Sequence, residues 1–123
     1  LTENKNILVF DCKNKEHVIA EILYIAANAL SSQSIFPLSN FYLNLAKYLN
    51  EDFHSYNTLL AENFYKINNL KKAEKIYKSL SKKGEAFHWH SSKQLARIYL
   101  QKDNQEEALS LLKKSYNGLL KKE

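Results

Sequence analysis

The chain resembles itself at a fixed offset of 35 residues. Leu60-Ala61-x-x-Phe64 returns as Leu95-Ala96-x-x-Tyr99, and Ala73-x-x-x-Tyr77 returns as Ala108-x-x-x-Leu112. One step back, Ile25-Ala26-x-x-Ala29 and Tyr42 take the corresponding places. Self-similarity at this period is the mark of stacked supersecondary units, each contacting only its neighbours. The units must be helical. Two Gly and one Pro among 123 residues leave too few turn signals for an all-β fold, and the Leu, Ala, Lys and Glu content favours helix.

Apolar periodicity predicts six helices. The first covers about 15–32. Pro37 suits the first turn of a second helix running to about Leu49, after a loop over 31–36. Asn50-Glu51-Asp52 reads as the start of a third, ending near Lys66. The fourth spans 70–82, with Gly84 as its C′ residue. The fifth spans 87–101. Asp103 and Glu106 then form a capping box opening a helix over 104–120. Short connections make each pair an antiparallel hairpin. The expected organisation is an all-α domain over 15–123, with repeats at about 19–53, 54–87 and 89–121.

Burial is expected for Phe41, Tyr42, Leu45, Ala46 and Leu49 on the second helix, and for Leu70, Ala73, Ile76, Tyr77 and Leu80 on the fourth. The first helix is apolar nearly all round, from Val18 through Ile19, Ile22 and Ile25 to Leu30, so it needs cover on every side. Residues 1–14 are expected to supply some of it, with the apolar run Ile7 to Phe10 docked on that helix. On a wheel of about 100° per residue, the last helix spreads its apolar residues over about 180°, against about 120° for the fourth. That surplus, at Leu111, Leu119 and Leu120, is expected to self-associate into a homodimer or to meet a further repeat of a longer chain.

The chemistry is sparse. No Gly-rich phosphate loop exists, and no Ser stands in a nucleophile elbow. His88 and His90 flank Trp89, but residues two apart on a helix do not face each other, and no carboxylate or Cys cluster stands beside them. His17 and His54 are isolated near helix starts. Cys12 is the single cysteine and allows no internal disulfide. The expectation is no catalytic, cofactor or metal site, and hence no enzyme. Net charge is +5, yet Arg97 is the only arginine among 18 basic residues, which argues for a solvated lysine surface over a nucleic-acid site. No apolar run reaches the ~20 residues a membrane span requires. The chain begins at Leu1 without Met, as expected of a piece of a longer protein.

The repeated residues resemble the tetratricopeptide repeat. That pattern sets a small residue in mid-helix A, an aromatic three residues on, an Ala nine further, and a bulky residue four after that. Ala61, Phe64, Ala73, Tyr77 and Ala96, Tyr99, Ala108, Leu112 follow it, while in the first repeat Leu38 stands at the place of the B-helix Ala. The resemblance implies a right-handed superhelical stack of three hairpins that acts as a protein-binding scaffold. It also implies a groove for a peptide or partner helix, lined by Ser55, Thr58, Glu62, Tyr65 and Lys66 of the second repeat and His90, Lys93, Arg97 and Gln101 of the third. Lys93 and Arg97, four apart, would grip an anion, or Glu62 would neutralise one of them. Repeat one would contribute Ala20, Leu23, Ala27 and Leu30. The run from Pro37 to Ala46 and Leu59-Leu60-Ala61-Glu62 resemble segments of large alphaproteobacterial repeat proteins, which implies a bacterial scaffold, in the cytoplasm or exported to the envelope. The alternatives are a structural spacer without a ligand and a basic nucleic-acid binder.

Overall fold

The computed structural model describes residues 11–121, so the segment Ile7 to Phe10 expected to dock on the first helix lies outside the described residues. These form six α-helices and no strand: α1 Lys15–Ser32, α2 Phe36–Leu49, α3 Ser55–Lys66, α4 Leu70–Leu80, α5 Glu85–Gln101 and α6 Gln105–Leu120. They fall into two compact units, one ending at Asn69 and one beginning at Leu70. The first holds α1, α2 and α3. The second holds α4, α5 and α6.

Three turns share one geometry. Ser34, Asn68 and Asp103 adopt left-handed backbone, with φ of 63, 62 and 58°. The N–H of each donates to the carbonyl three residues back, at Ser31, Tyr65 and Leu100. The following N–H groups, of Ile35, Asn69 and Asn104, donate five residues back to Leu30, Phe64 and Tyr99. This is the Schellman closure, which satisfies the last carbonyls of a helix. Glycine usually takes the left-handed place. Here Ser, Asn and Asp take it, and short polar side chains are the ones that tolerate it. The three positions are spaced by 34 and then 35 residues.

That spacing corrects the register of the first repeat. With 34 residues between repeats one and two, Ala27 rather than Ala26 matches Ala61, and Ser39 rather than Leu38 matches Ala73. Burial agrees: Ala27, Ser39, Leu43 and Ala46 are buried, whereas Leu38, Phe41 and Leu45 are exposed. The expected burial of Phe41 and Leu45 therefore fails, because the second helix is rotated by one residue about its axis. Val18, Ile19, Ile22 and Ile25 on α1 are exposed too, and the segment expected to cover them lies outside the described residues.

Helix boundaries shift for local reasons. Asn50 is not a start signal for α3. It is buried and closes α2, its backbone N–H donating to the Ala46 carbonyl. Gly84 is not the C′ residue of α4, which ends at Leu80. It is the N-cap of α5 at φ 126° and ψ 169°, a conformation open to glycine. Asp103 is left-handed and so caps nothing. Asn104 is the N-cap of α6, and its Oδ1 accepts from the Glu107 backbone N–H at 3.3 Å.

In the first unit, α2 packs on α1 and α3 packs mainly on α2. One side chain joins all three. Asn63 of α3 is fully buried. The Ser31 hydroxyl of α1 donates to its Oδ1 at 2.6 Å. Its Nδ2 donates to Ser39 Oγ at 2.9 Å and to Asn40 Oδ1 at 2.8 Å, both on α2. Ser39 in turn donates to the Ala27 carbonyl at 2.8 Å. A carbonyl can only accept, so the Ser39 proton is committed there, and its lone pair must receive an N–H. That fixes which way the Asn63 amide points. Tyr24, Phe53 and Tyr56 form an aromatic cluster at the other end, with Tyr24 and Tyr56 centroids 5.2 Å apart.

In the second unit, α5 packs on both α4 and α6. Small residues allow close approach: Ala73 on α4, Ser91, Ser92 and Ala96 on α5, Ala108 on α6 are buried. The Ser115 hydroxyl donates to Ser92 Oγ at 2.9 Å, across α6 and α5.

Asn63→Ala should destabilise the first unit by about 1–3 kcal/mol, because it strands the buried Ser31 hydroxyl and removes an acceptor and two donors from a buried junction. Urea unfolding measures this. A loss within a few tenths of a kcal/mol would show that the junction does not hold these helices.

Candidate functional site

The residues expected to line a groove divide between the units. On α3, in the first unit, Glu62 and Lys66 are exposed and pair with each other at 3.2 Å, one turn apart. The charge opposite Glu62 is thus in its own helix. Ser55, Thr58 and Tyr65 are half-buried, and the Thr58 hydroxyl is enclosed without a hydrogen-bond partner. The repeat-one residues Ala20 and Ala27 are fully buried and line no groove. The corrected register puts Glu21, Tyr24, Asn28 and Ser32 at that face instead.

On α5, in the second unit, His90 is half-buried with its ring 6.3 Å from that of Tyr77, while Lys93, Arg97 and Gln101 are exposed. The Lys93 ammonium sits 5.9 Å from the centre of the Trp89 ring, a cation–π arrangement. Arg97 Nη1 donates to Gln94 Oε1 at 2.9 Å. Trp89, Lys93 and Arg97 thus run along the helix as an aromatic and cationic strip.

The strip ends at a pocket that the sequence did not reveal. It has a volume of about 430 Å³ and is lined by Ser81, Gly84, Glu85, His88, Trp89, Ser115, Gly118 and Leu119. Both glycines of the chain stand in its wall. A Cβ at Gly118 would meet nothing within 4 Å, so the missing side chain is part of the opening. The available signal was two glycines brought near Trp89 by the hairpin of α5 and α6. His88 Nδ1 faces the Ser81 carbonyl at 3.2 Å and so carries a proton there. His17 Nδ1 does the opposite and accepts the Asp11 backbone N–H at 3.0 Å. Both serve helix ends. Among the described residues, no three His, Cys, Asp or Glu side chains gather as a metal site needs, and no helix is long and apolar enough to cross a membrane.

Of the residues expected to self-associate, Leu119 lines the pocket and Leu120 is exposed, whereas Leu111 is half-buried. The exposed apolar row on α6 is Leu109, Tyr116 and Leu120.

Glu74 carries the clearest electrostatic perturbation. Its carboxylate accepts from Lys102 at 2.6 Å and from Lys78 at 2.7 Å, and the Tyr99 hydroxyl stands 3.5 Å away. Lys102, then Lys78, hold its pKa below the usual glutamate range, and Glu74 raises that of Lys78 in return. The group ties α4 to α5.

No protein-family profile, no curated protein and no solved structure matches the chain.

Because the folded-state pKa of Glu74 is depressed, its contribution to stability is present above the unfolded value of roughly 4.3 and fades as pH falls below it. Glu74→Gln should therefore lower the melting temperature near neutral pH. The difference from the natural chain should shrink steadily as the solution is acidified below pH ~4. A difference that stays constant into acid would mean that the carboxylate charge is not what stabilises the contact.

Proposed function

We propose that the chain is a non-enzymatic protein-interaction module of the tetratricopeptide-like kind, three stacked helical hairpins within a larger bacterial scaffold. The repeated Schellman turns and the small residues at Ala27 and Ser39, Ala61 and Ala73, Ala96 and Ala108 support the architectural part of this reading. The observation that carries the functional part is the juxtaposition on α5 of an open pocket with a cationic strip, joined at Trp89.

The ligand that fits is a peptide with one apolar side chain and acidic residues to one side of it. The apolar group enters between Trp89 and Leu119, over the bare backbone of Gly118. Glu85 in the pocket lining repels an acid there, so the peptide carboxylates lie toward Lys93 and Arg97, where charge-assisted hydrogen bonds form.

Selection from a random peptide library on the intact chain should enrich an apolar residue followed by Asp or Glu. Lys93→Glu with Arg97→Glu should weaken the selected peptide by about tenfold or more, equivalent to ~1.4 kcal/mol per tenfold, with helical circular dichroism unchanged. Gly118→Leu should block the pocket without harming the fold, since a side chain there has open space and leucine is the better helix former. Affinity retained in both variants, or enrichment of basic peptides, would contradict the reading.

A further inference from the structure

The first and last of the described helices each present half of a junction that the first unit contains in full. On α3, Tyr56, Leu59 and Asn63 face the preceding hairpin of α1 and α2: Tyr56 stacks on Tyr24, and Asn63 bonds to Ser31, Ser39 and Asn40. On α5 the equivalent positions are Ser91, Gln94 and Ile98. Ser91 and Ile98 are fully buried, and α5 packs on α4. On α1 the same positions are Ile22, Ile25 and Ala29. They have no preceding hairpin among the described residues, and Ile22 and Ile25 are 60% and 61% exposed. With Val18 they form one stripe, on the side of α1 opposite the buried Ala20, Ala27 and Ser31.

The complementary half lies on α5 and α6. Asn40 on α2 bonds forward to Asn63 of α3, and Glu74, 34 residues on, bonds forward to Lys102 at the end of α5. The third equivalent is Leu109 on α6. Likewise Ser31, which bonds forward to Asn63, is matched on α5 by Leu100. Leu100 and Leu109 are 49% and 55% exposed. Polar residues that reach a following helix at the inner junctions are replaced, at the last hairpin, by leucines.

We propose that the chain associates head to tail with a second copy of itself, the α5–α6 hairpin of one copy receiving α1 of the next. Two arguments select this arrangement over a symmetric one. Inside the first unit, Tyr56 and Asn63 of α3 meet Tyr24, Ser31, Ser39 and Asn40 of α1 and α2 rather than their own equivalents, so the junction is heterologous by construction. The charges agree. Residues 1–69 carry five lysines against seven acids, a net charge of −2, and residues 70–123 carry thirteen Lys and Arg against six acids, a net charge of +7. Two tails repel each other, while a head attracts a tail. The inference does not rest on the peptide pocket, since none of Ile22, Ile25, Leu100 and Leu109 lines it.

Sedimentation velocity with two surface variants tests it. The head variant is Ile22→Glu with Ile25→Glu. The tail variant is Leu100→Glu with Leu109→Glu. The natural chain should grow with concentration beyond its 14.3 kDa monomer mass. Each variant alone should remain monomeric, since each has lost one half of the junction. Mixed, they should form a one-to-one dimer and stop there, because the head variant keeps a working tail and the tail variant keeps a working head. The mixed dimer also certifies that both variants are folded. Dimers formed by either variant alone would mean symmetric pairing and overturn the proposal. So would a natural chain that stays monomeric at every concentration, as it would if its own leading residues covered α1.

Discussion

The left-handed residue that ends every odd-numbered helix is the constraint from which the rest follows. A chain leaving a helix through a Schellman closure has its exit direction fixed by two hydrogen bonds. The next helix then starts at a set distance and a set rotation. Because Ser34 and Asp103 repeat this closure inside their units, α2 and α6 enter beside α1 and α5 with the same register, and Asn68 closes α3 with the same two hydrogen bonds. The buried positions repeat accordingly: Ser39, Ala73 and Ala108, then Leu43 and Tyr77, then Ala46, Leu80 and Ser115.

On that frame α3 and α5 are tied to the helices before them differently. In the first unit, a single buried amide links α1, α2 and α3, and every hydrogen on Asn63 Nδ2 is spent inside the junction. A buried polar group hydrogen-bonded on both sides in this way specifies one packing, since any slip leaves several groups unpaired. In the second unit, Ile98 stands where Asn63 stands, and the polar tie moves to the rim as the Glu74, Lys78 and Lys102 cluster. The inner tie resists pH. The outer one depends on a carboxylate remaining charged.

The all-helical class and six helices were legible in the sequence because period and composition agree over the whole chain. The register of repeat one was not. Leu and Ala abound on α1 and α2, so a pattern shifted by one residue still finds apolar side chains: Ala26 beside Ala27, Leu38 beside Ser39, Tyr42 beside Leu43. The breaks between helices were legible, but their shared left-handed closure was not, because Ser, Asn and Asp stand where glycine usually does. The role of Asn63 leaves no local pattern in the sequence, because its partners are 23 to 32 residues away. For the candidate site, Lys93 and Arg97 were visible through their helical spacing. The pocket beside Trp89 was not, since its lining is gathered from the ends of three helices, α4, α5 and α6.

Thiol accessibility tests the register most directly. In a Cys12→Ser background, which removes the exposed native thiol, a cysteine is placed singly at Leu38 or at Ser39 and exposed to a maleimide under native conditions. The account predicts that the thiol at 38 reacts at nearly the rate of the unfolded chain, while the thiol at 39 is protected until the helices open. Protection at 38 with rapid reaction at 39 would contradict it and restore a uniform 35-residue repeat.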